Sequence, residues 1–301
     1  MKPKVLVRHS LPQAALDELR ANFEETEDPE QAEGVVGFLS TSLDLGRMPR
    51  LRAVATVSAG YDNYDLPELT RRRIALMNCA DALTETTADL AFALMLASAR
   101  RVAELDALVR SGGWKPGAGS ELYGLDVHGK TLGVVGYGRI GSAIARRGKG
   151  FGMEVLYTSR RPKETPGRVV LDELLRRSDF VCLAVPLTPD TDRLIGSREL
   201  GLMKPTGILV NIARGRVVDE SALVEALRRQ TIRAAGLDVY EEEPLSPTSP
   251  LIGMPNVVLL PHIGSATQET RDAMALASVR NLISCLVHGE PRNVVNSEAL
   301  E

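Results

Sequence analysis

Short apolar segments alternate with longer amphipathic ones along the first part of the chain. Lys4 to Val7, Gly34 to Leu39 and Leu51 to Val57 are mostly apolar runs, which predict buried strands. Pro12 to Asn22 carries apolar residues at helical spacing and predicts an amphipathic helix. Strands that alternate with helices form parallel sheets, and the helices cover both faces of such a sheet. The first part of the chain therefore predicts a small α/β domain.

The same alternation resumes after Gly129. Six apolar runs, mostly separated by helical segments, predict six strands: Thr131 to Val135, Val155 to Thr158, Phe180 to Val185, Ile208 to Ile212, Ala234 to Asp238 and Val257 to Leu260. Six such strands match a doubly wound parallel sheet that binds a dinucleotide. We therefore predict an α/β fold of two Rossmann-like domains, the larger binding the dinucleotide and the smaller flavodoxin-like. Residues 1–98 and 271–301 are assigned to the smaller domain, and residues 99–270 to the larger.

One predicted helical segment, from Thr84 to Arg110, is apolar on nearly every side in its first part and turns amphipathic in its last part, RRVAELDALVR. It opens with the capping residues Thr84, Thr86 and Thr87, and between Ala88 and Ala97 almost every residue is apolar. A helix of this kind has to be enclosed. An interdomain core and an obligate interface with a second subunit explain the sequence about equally well, and we expect both together.

Composition and charge exclude several classes of protein. The chain has 36 Lys and Arg against 39 Asp and Glu, for a formal net charge of −3, so it has no general attraction to nucleic acid or anionic lipid. Its nearest approach to a membrane span, Leu90 to Ala97, is too short, and its first residues lack the pattern of a signal peptide. Cys79, Cys182 and Cys285 lie far apart and form no CxxC pair. We expect a cytoplasmic protein without a metal, a membrane partner or a nucleic-acid partner.

A glycine-rich turn follows the first strand of the larger domain. Gly136, Gly138 and Gly141 have the spacing GxGxxG between a predicted strand and a predicted helix. The first glycine permits a tight turn, the second lets a pyrophosphate approach the backbone, and the third lets the helix pack closely on the strand. A purely structural glycine turn is the alternative. The complete strand, turn and helix favour a dinucleotide site that includes Arg139 and Ile140.

The next strand ends in a basic segment instead of an acidic one. Ser159, Arg160 and Arg161 stand about where an Asp or Glu would bind the ribose hydroxyls of NAD. A hydroxyl and two guanidinium groups suit the 2′-phosphate of NADP, because arginine offers charge-assisted hydrogen bonds to phosphate oxygens. We therefore expect NADP(H) to be preferred. NAD(H), bound by other means beside a solvated basic loop, remains the alternative.

Three ionisable residues follow three late strands. Arg214, Glu243 and His262 stand after the predicted strands that start at Ile208, Ala234 and Val257. Ligands of an open α/β sheet bind beyond the carboxyl ends of its strands, so these residues can converge there. Beside a nicotinamide, they supply what reduction of a 2-oxo acid requires: a cation for the substrate oxygens, a proton donor, and a carboxylate that orients it and favours its protonated form.

Four motifs in this order, GYGRIG, VNIARGRVVD, AAGLDVYEEEP and LLPHIGSAT, resemble those of the D-isomer-specific 2-hydroxyacid dehydrogenases. The resemblance extends over nearly the whole chain and is greatest to the glyoxylate/hydroxypyruvate reductases of that family. It implies that Arg214 binds the substrate carboxylate and carbonyl, that His262 is the acid/base and that Glu243 pairs with it. It also implies that Asp238 contacts the nicotinamide end of the cofactor.

The resemblance assigns further residues to binding. The cofactor groove would be lined by residues that follow the late strands: Val185, Pro186, Ile212, Ala213, His262, Ile263 and Gly264. A backbone turn of the smaller domain, Ser58, Ala59 and Gly60, would bind the substrate carboxylate together with Arg214 and His262.

The activity that the resemblance implies is NADP(H)-dependent reduction of glyoxylate to glycolate and of hydroxypyruvate to D-glycerate, by a homodimer. A roomier pocket would instead suit 2-ketogluconate or another longer 2-keto acid. A protein of another class, which senses NAD(P)H without turnover, is a further alternative because one fold serves several functions. The complete set of Arg214, Glu243 and His262 favours an enzyme over the sensor.

Overall fold

The chain folds into two α/β units, each with its own parallel sheet. The computed structural model describes residues 2–38, 43–117, 119–160 and 165–301. The smaller unit comprises Met1–Leu83 and Ser265–Glu301, and the larger unit comprises Thr84–Gly264. The predicted boundaries after residues 98 and 270 differ from this division. The predicted boundary after residue 98 and the observed one after Leu83 both fall inside the helix Ala80–Arg100, and residues 88–99 of that helix pack in the core of the larger unit.

The described residues form these strands in chain order: β1 Lys4–Val7, β2 Glu24–Glu25, β3 Gly34–Gly37, β4 Ala53–Thr56, β5 Ala75–Met77, β6 Thr131–Val135, β7 Glu154–Thr158, β8 Phe180–Leu183, β9 Ile208–Asn211, β10 Ala234–Leu237 and β11 Val257–Leu259. They form these α-helices: α1 Gln13–Asn22, α2 Leu66–Arg71, α3 Ala80–Arg100, α4 Val102–Arg110, α5 Arg139–Gly150, α6 Leu171–Arg177, α7 Ser197–Leu202, α8 Glu220–Arg228 and α9 Gln268–Leu282. A π-helical turn, Ile283–Val287, extends α9.

The sheet of the smaller unit has the strand order β2-β1-β3-β4-β5, and all of its strand pairs are parallel. This is the flavodoxin-like order, as predicted. Strands β2 and β5, of two and three residues, were not predicted. The chain between β2 and β3 has only a 3-10 turn, Pro29–Gln31, in place of a helix. Leu39, the predicted end of the third strand, lies outside the described residues.

The sheet of the larger unit has the order β11-β10-β9-β8-β6-β7 and is entirely parallel. The six predicted strands are all present. They are buried because side chains from helices on both faces cover them. From β6 the chain first builds outward to β7 and then returns to place β8 on the other side of β6. This reversal is a topological switch point, which is where doubly wound sheets bind their ligands.

The long apolar helix is mostly enclosed by its own unit. Phe92, Leu94 and Met95 of α3 pack with residues of the larger sheet. Gly236 of β10 permits this close approach, because a Cβ there would lie 3.0 Å from the Cβ of Leu94. The prediction of one helix from Thr84 to Arg110 was wrong in detail. The helix starts earlier, so its threonines do not cap it, and it breaks at Arg101, whose φ is 55°.

Within the described part of the chain, no helix combines the length and the apolar character that a membrane span requires. The three cysteines, Cys79, Cys182 and Cys285, are free thiols.

Candidate active site

The glycine turn between β6 and α5 has a different constraint at each glycine. Gly136 has a φ of +97°, a conformation that favours glycine, and a Cβ there would press on Ala184 and Val185 at the end of β8. A Cβ on Gly141 would overlap the carbonyl oxygen of Gly136. Both glycines are therefore required for packing within the turn.

Gly138, in contrast, has open space around it. A Cβ on Gly138 would meet no protein atom within 4 Å. Helix α5 begins at the next residue, and no side chain caps it. The first amides of a helix carry a partial positive charge and bind anions. An approachable backbone next to an uncapped helix start fits the pyrophosphate of a dinucleotide, so this turn can hold the predicted cofactor.

The end of β7 lies beside this turn, because β7 pairs with β6 in register. Ser159 and Arg160 directly follow β7, and Arg160 is exposed. The predicted 2′-phosphate contacts of these two residues stay predictions. Arg161 lies outside the described residues.

The other predicted cofactor and catalytic residues follow the carboxyl ends of neighbouring strands. Val185 and Pro186 follow β8, Ile212, Ala213 and Arg214 follow β9, Asp238 follows β10, and His262, Ile263 and Gly264 follow β11. Since all of these strands are parallel and adjacent, the structure brings these residues to the same edge of the sheet as the glycine turn.

Glu243 and His262 form a direct pair. The Nδ1 atom of His262 lies 2.6 Å from Oε2 of Glu243, and the backbone N–H of Tyr240 donates to the other carboxylate oxygen at 3.1 Å. Burial tends to raise the pKa of Glu243, but the hydrogen bond and charge of His262 outweigh it and hold that pKa below its usual value. The side chain of His262 is 46% exposed.

Arg214 lies in the same electrostatic environment. Its positive charge also lowers the pKa of Glu243, and its Nη1 donates to the carbonyl of Ala213 at 2.8 Å. The next residue, Gly215, lets the two loops approach, because a Cβ there would overlap the carbonyl group of Tyr240. Sequence analysis did not single out Gly215, although it stands inside the motif ARGR.

The loop that carries His262 is anchored by Asp238. The Asp238 side chain is almost fully buried, and its two oxygens accept from the amides of Ile263 and Gly264 at 2.7 and 2.8 Å. The amide of His262 donates to the Asp238 carbonyl, and His262 itself has a φ of 53°. Burial raises the pKa of Asp238. Thr87 adds a hydrogen bond to the Gly264 carbonyl, a role that its sequence position did not reveal.

The predicted carboxylate turn of the smaller unit, Ser58 to Gly60, has all of its carbonyl groups engaged. The Ser58 carbonyl accepts from the amide of Cys79 at 3.1 Å, and the Ala59 carbonyl from Nδ2 of Asn78 at 2.8 Å. The Gly60 carbonyl accepts from the hydroxyl of Ser58 at 2.7 Å. The backbone N–H groups of the turn have no acceptor within the described ranges of the chain. Successive amides of this kind form an anion-binding concavity.

Nothing in the described ranges suggests a metal centre, since no three His, Cys, Asp or Glu side chains cluster there.

A glycine turn at the switch point of a doubly wound sheet, and an arginine with a carboxylate–imidazole pair at the same edge, define the class of nicotinamide-dependent oxidoreductases. Comparison with known proteins makes this class specific. Residues 92–264 match the family model "D-isomer specific 2-hydroxyacid dehydrogenase, NAD binding domain".

Relatives are similar over the whole chain. Glyoxylate/hydroxypyruvate reductase B of Escherichia coli (strain UMN026) is 47% identical, covering 98% of each chain. Glyoxylate reductase of Thermococcus gammatolerans is also 47% identical and covers 100% of this chain and 98% of its own. The solved structure of the NADPH-dependent glyoxylate/hydroxypyruvate reductase of Sinorhizobium meliloti with NADP and malonate has a TM-score of 0.89 at 35% identity, covering 99% of this chain and 98% of its own.

The chain belongs to the D-isomer-specific 2-hydroxyacid dehydrogenase family. It is an enzyme of that family and binds a nicotinamide dinucleotide.

Proposed function

We propose that this enzyme reduces small 2-oxo acids with NADP(H), converting glyoxylate to glycolate and hydroxypyruvate to D-glycerate. The observation that carries the proposal is the 2.6 Å contact of Glu243 with His262, at the sheet edge that also holds Arg214 and the glycine turn. The names of the relatives from E. coli and T. gammatolerans support these substrates.

In the proposed reaction each residue of the larger unit has one role. The bound nicotinamide supplies a hydride to the carbonyl carbon of the substrate. His262 donates a proton to the carbonyl oxygen, and Glu243 orients the imidazole through its contact with Nδ1. Arg214 binds the substrate oxygens and stabilises the negative charge that develops there. In the reverse direction, neutral His262 accepts the proton.

We further propose that Asp238 contacts the nicotinamide end of the cofactor and that the residues that follow β8, β9 and β11 line the cofactor groove. In the smaller unit, the amides of the turn from Ser58 to Gly60 bind the substrate carboxylate. Their lack of acceptors in the described part of the chain supports this role.

The most direct experiment assays a panel of 2-oxo acids with NADPH and with NADH. We expect the highest kcat/KM for glyoxylate and hydroxypyruvate, because differential binding in the transition state defines specificity. A higher kcat/KM for 2-ketogluconate would indicate a reductase of longer 2-keto acids. Cofactor binding without oxidation by any 2-oxo acid would indicate a sensor and contradict the proposal.

The coenzyme preference rests on Ser159, Arg160 and Arg161. We expect Arg160→Asp to raise the KM for NADPH about tenfold or more and to leave that for NADH nearly unchanged, because only NADPH has the 2′-phosphate that the guanidinium would bind. Arg168→Asp is a matched control, since Arg168 is exposed and donates to the Ser159 carbonyl at 3.3 Å instead of standing at the strand end. Equal losses for both coenzymes would contradict the role of Arg160.

We also propose that the enzyme is a cytoplasmic homodimer. Helix α4 supports the dimer. None of its residues is buried, and its apolar residues Val102 and Val109 are each 54% exposed. Trp114, shortly after α4, is 66% exposed. Exposed apolar side chains concentrated in one segment are typical of an interaction surface, and the second copy of this chain is its proposed occupant. The free cysteines support a reducing compartment.

A further inference from the structure

The Asn78 side chain lies outside the carboxylate turn and contacts its backbone. Its Nδ2 atom donates to the carbonyl of Ala59 at 2.8 Å. We infer that Asn78 is a positioning residue, which aims the backbone amides of this turn at the substrate carboxylate, and that Asn281 and Asn293 hold it in place. The inference rests on the proposed function of the turn and assigns residues that the family motifs did not indicate.

The rigid peptide group explains how a carbonyl contact directs an amide. In a trans peptide the C=O and the following N–H point in opposite directions in one plane. A donor that fixes the Ala59 carbonyl therefore points the N–H of Gly60 away from that donor. In the same way, the amide of Cys79 fixes the N–H of Ala59, and the Ser58 hydroxyl fixes the N–H of Tyr61. The three contacts set three successive N–H directions.

Asn78 is itself fixed by two other asparagines. Nδ2 of Asn281 donates to the backbone carbonyl of Asn78 at 2.9 Å, and the backbone N–H of Asn78 donates to the backbone carbonyl of Asn293 at 3.2 Å. Nδ2 of Asn293 then donates to Oδ1 of Asn281 at 3.0 Å, which closes a ring of contacts. Asn281 is 4% exposed, so its hydrogen bonds are protected from water. We call these three residues the asparagine network.

The reason to hold the turn so firmly is the cost of orientation. A carboxylate bound by main-chain amides gains most when their N–H groups already point at its oxygens, since no reorganisation is then needed on binding. Without Asn78, the Ala59 carbonyl loses its donor and the Gly60 N–H is free to rotate. Affinity for the substrate carboxylate should fall, whereas cofactor binding should not change.

The test compares Asn78→Ala and Asn78→Asp with the wild-type enzyme. Aspartate has the same shape but cannot donate to the Ala59 carbonyl when ionised, so it separates the hydrogen bond from packing. For both variants we expect the KM for glyoxylate and the Kd for oxamate, a carboxylate inhibitor, to rise about tenfold. We expect the kcat and the Kd for NADPH to stay within about twofold of wild type. Asn281→Ala should cause a smaller rise in the same two quantities.

Asn256→Ala is the matched control. Nδ2 of Asn256 also donates to main-chain carbonyls, those of Leu227 and Arg233, but it belongs to the larger unit. If Asn78 only stabilised the fold, its variants would have a lower thermal stability, as Asn256→Ala does, and an unchanged KM for glyoxylate.

The outcomes separate this inference from the proposed function. The inference is overturned when the Asn78 variants have the same KM and the same oxamate affinity as Asn256→Ala. It is also overturned when kcat and NADPH affinity fall in parallel with the substrate affinity. A wild-type enzyme that reduces no 2-oxo acid overturns the proposed function. In that case, a weaker oxamate affinity of the Asn78 variants than of wild type still supports the positioning role. If wild type does not bind oxamate at all, the positioning role is overturned together with the proposed function.

Discussion

At the scale of single residues, the conformation of His262 depends on contacts made by other groups. Its φ of 53° is uncommon for a residue other than glycine, and the contacts of Asp238 with the amides of His262, Ile263 and Gly264 maintain it. Its Nδ1 atom is occupied by Glu243, which leaves the other ring nitrogen for a substrate. Backbone strain of this kind often occurs at functional sites, because precise placement of a side chain requires it.

We expect His262→Asn to lower kcat/KM for reduction by about 10²- to 10⁴-fold, the usual contribution of a general acid. Asparagine adopts positive φ readily, so the loop should keep its shape while the proton donor is lost. The Kd for NADPH should stay near the wild-type value. His288→Asn, at an exposed position in the smaller unit, is the control. Steady-state kinetics in which His262→Asn retains kcat would remove His262 from the mechanism.

The lowered pKa of Glu243 predicts a pH-dependent contribution to stability. A carboxyl whose folded-state pKa lies below its usual 4.5 stabilises the fold above that pH, and the contribution is lost as the pH falls through the lowered pKa. The free energy of unfolding of Glu243→Gln should therefore be below that of wild type near pH 7, and the difference should shrink below about pH 4. Urea titrations between pH 3 and 7 measure this difference.

Glu242→Gln is the control for this series, because Glu242 is an exposed neighbour. Its unfolding free energy should follow that of wild type at every pH. A constant difference between Glu243→Gln and wild type across the pH range would show that Glu243 stabilises the fold by packing alone.

At the scale of elements, the three glycines of the turn between β6 and α5 have different surroundings. Gly136 and Gly141 are in contact with protein atoms, whereas the space beside Gly138 is open. The sequence motif GxGxxG does not distinguish the three glycines. Their surroundings predict a packing role for Gly136 and Gly141 and a binding role for Gly138.

We expect Gly138→Ala to weaken NADPH binding at least tenfold while changing the unfolding free energy by less than about 0.5 kcal/mol. Its φ of −81° suits alanine, and the added methyl group would occupy the path of the pyrophosphate. Gly141→Ala is the matched variant and should lower the unfolding free energy by about 2 kcal/mol, because its methyl group overlaps the Gly136 carbonyl. Fluorescence titration and thermal unfolding distinguish the two effects. Equal losses of stability would contradict this division.

Helices α3 and α4 illustrate the limit of prediction for an element. The apolar run of α3 predicted enclosure, and the core of the larger unit supplies much of it. The break at Arg101 was not predictable, because arginine is a good helix former and no proline or glycine marks the position. The sequence indicated that the segment of α4 is amphipathic, but only the structure showed that none of its residues is buried.

At the scale of the whole molecule, the exposed apolar face of α4 predicts the oligomeric state. We expect wild type to have the mass of a dimer and the double variant Val102→Glu/Val109→Glu that of a monomer, because burying two unpaired carboxylates at an interface is costly. Val170→Glu is the control, since Val170 is 69% exposed and belongs to another part of the larger unit. Light scattering coupled to size exclusion measures the masses. A double variant with the mass of a dimer would place the interface elsewhere.

The same scale explains which site residues the sequence could indicate. Arg214, Glu243 and His262 were found because each follows a strand of a parallel sheet, and parallel strands end at one edge. Thr87, Gly215 and Asn78 were not found, since the contacts of Thr87 and Gly215 and the role proposed for Asn78 depend on residues that lie far away in the chain. The contact of Asn281 with Asn78 spans 203 positions.

The chain's own sequence determined the two parallel sheets, the order of the strands along the chain, the glycine turn and the types of residue at the catalytic edge. These follow from local patterns, in which the spacing of apolar residues and glycines sets the backbone. Only the tertiary structure decided the pairing of Glu243 with His262 at 2.6 Å, the anchoring of its loop by Asp238 and the asparagine network. Hydrogen bonds depend on distance and angle, which are set when distant segments pack together.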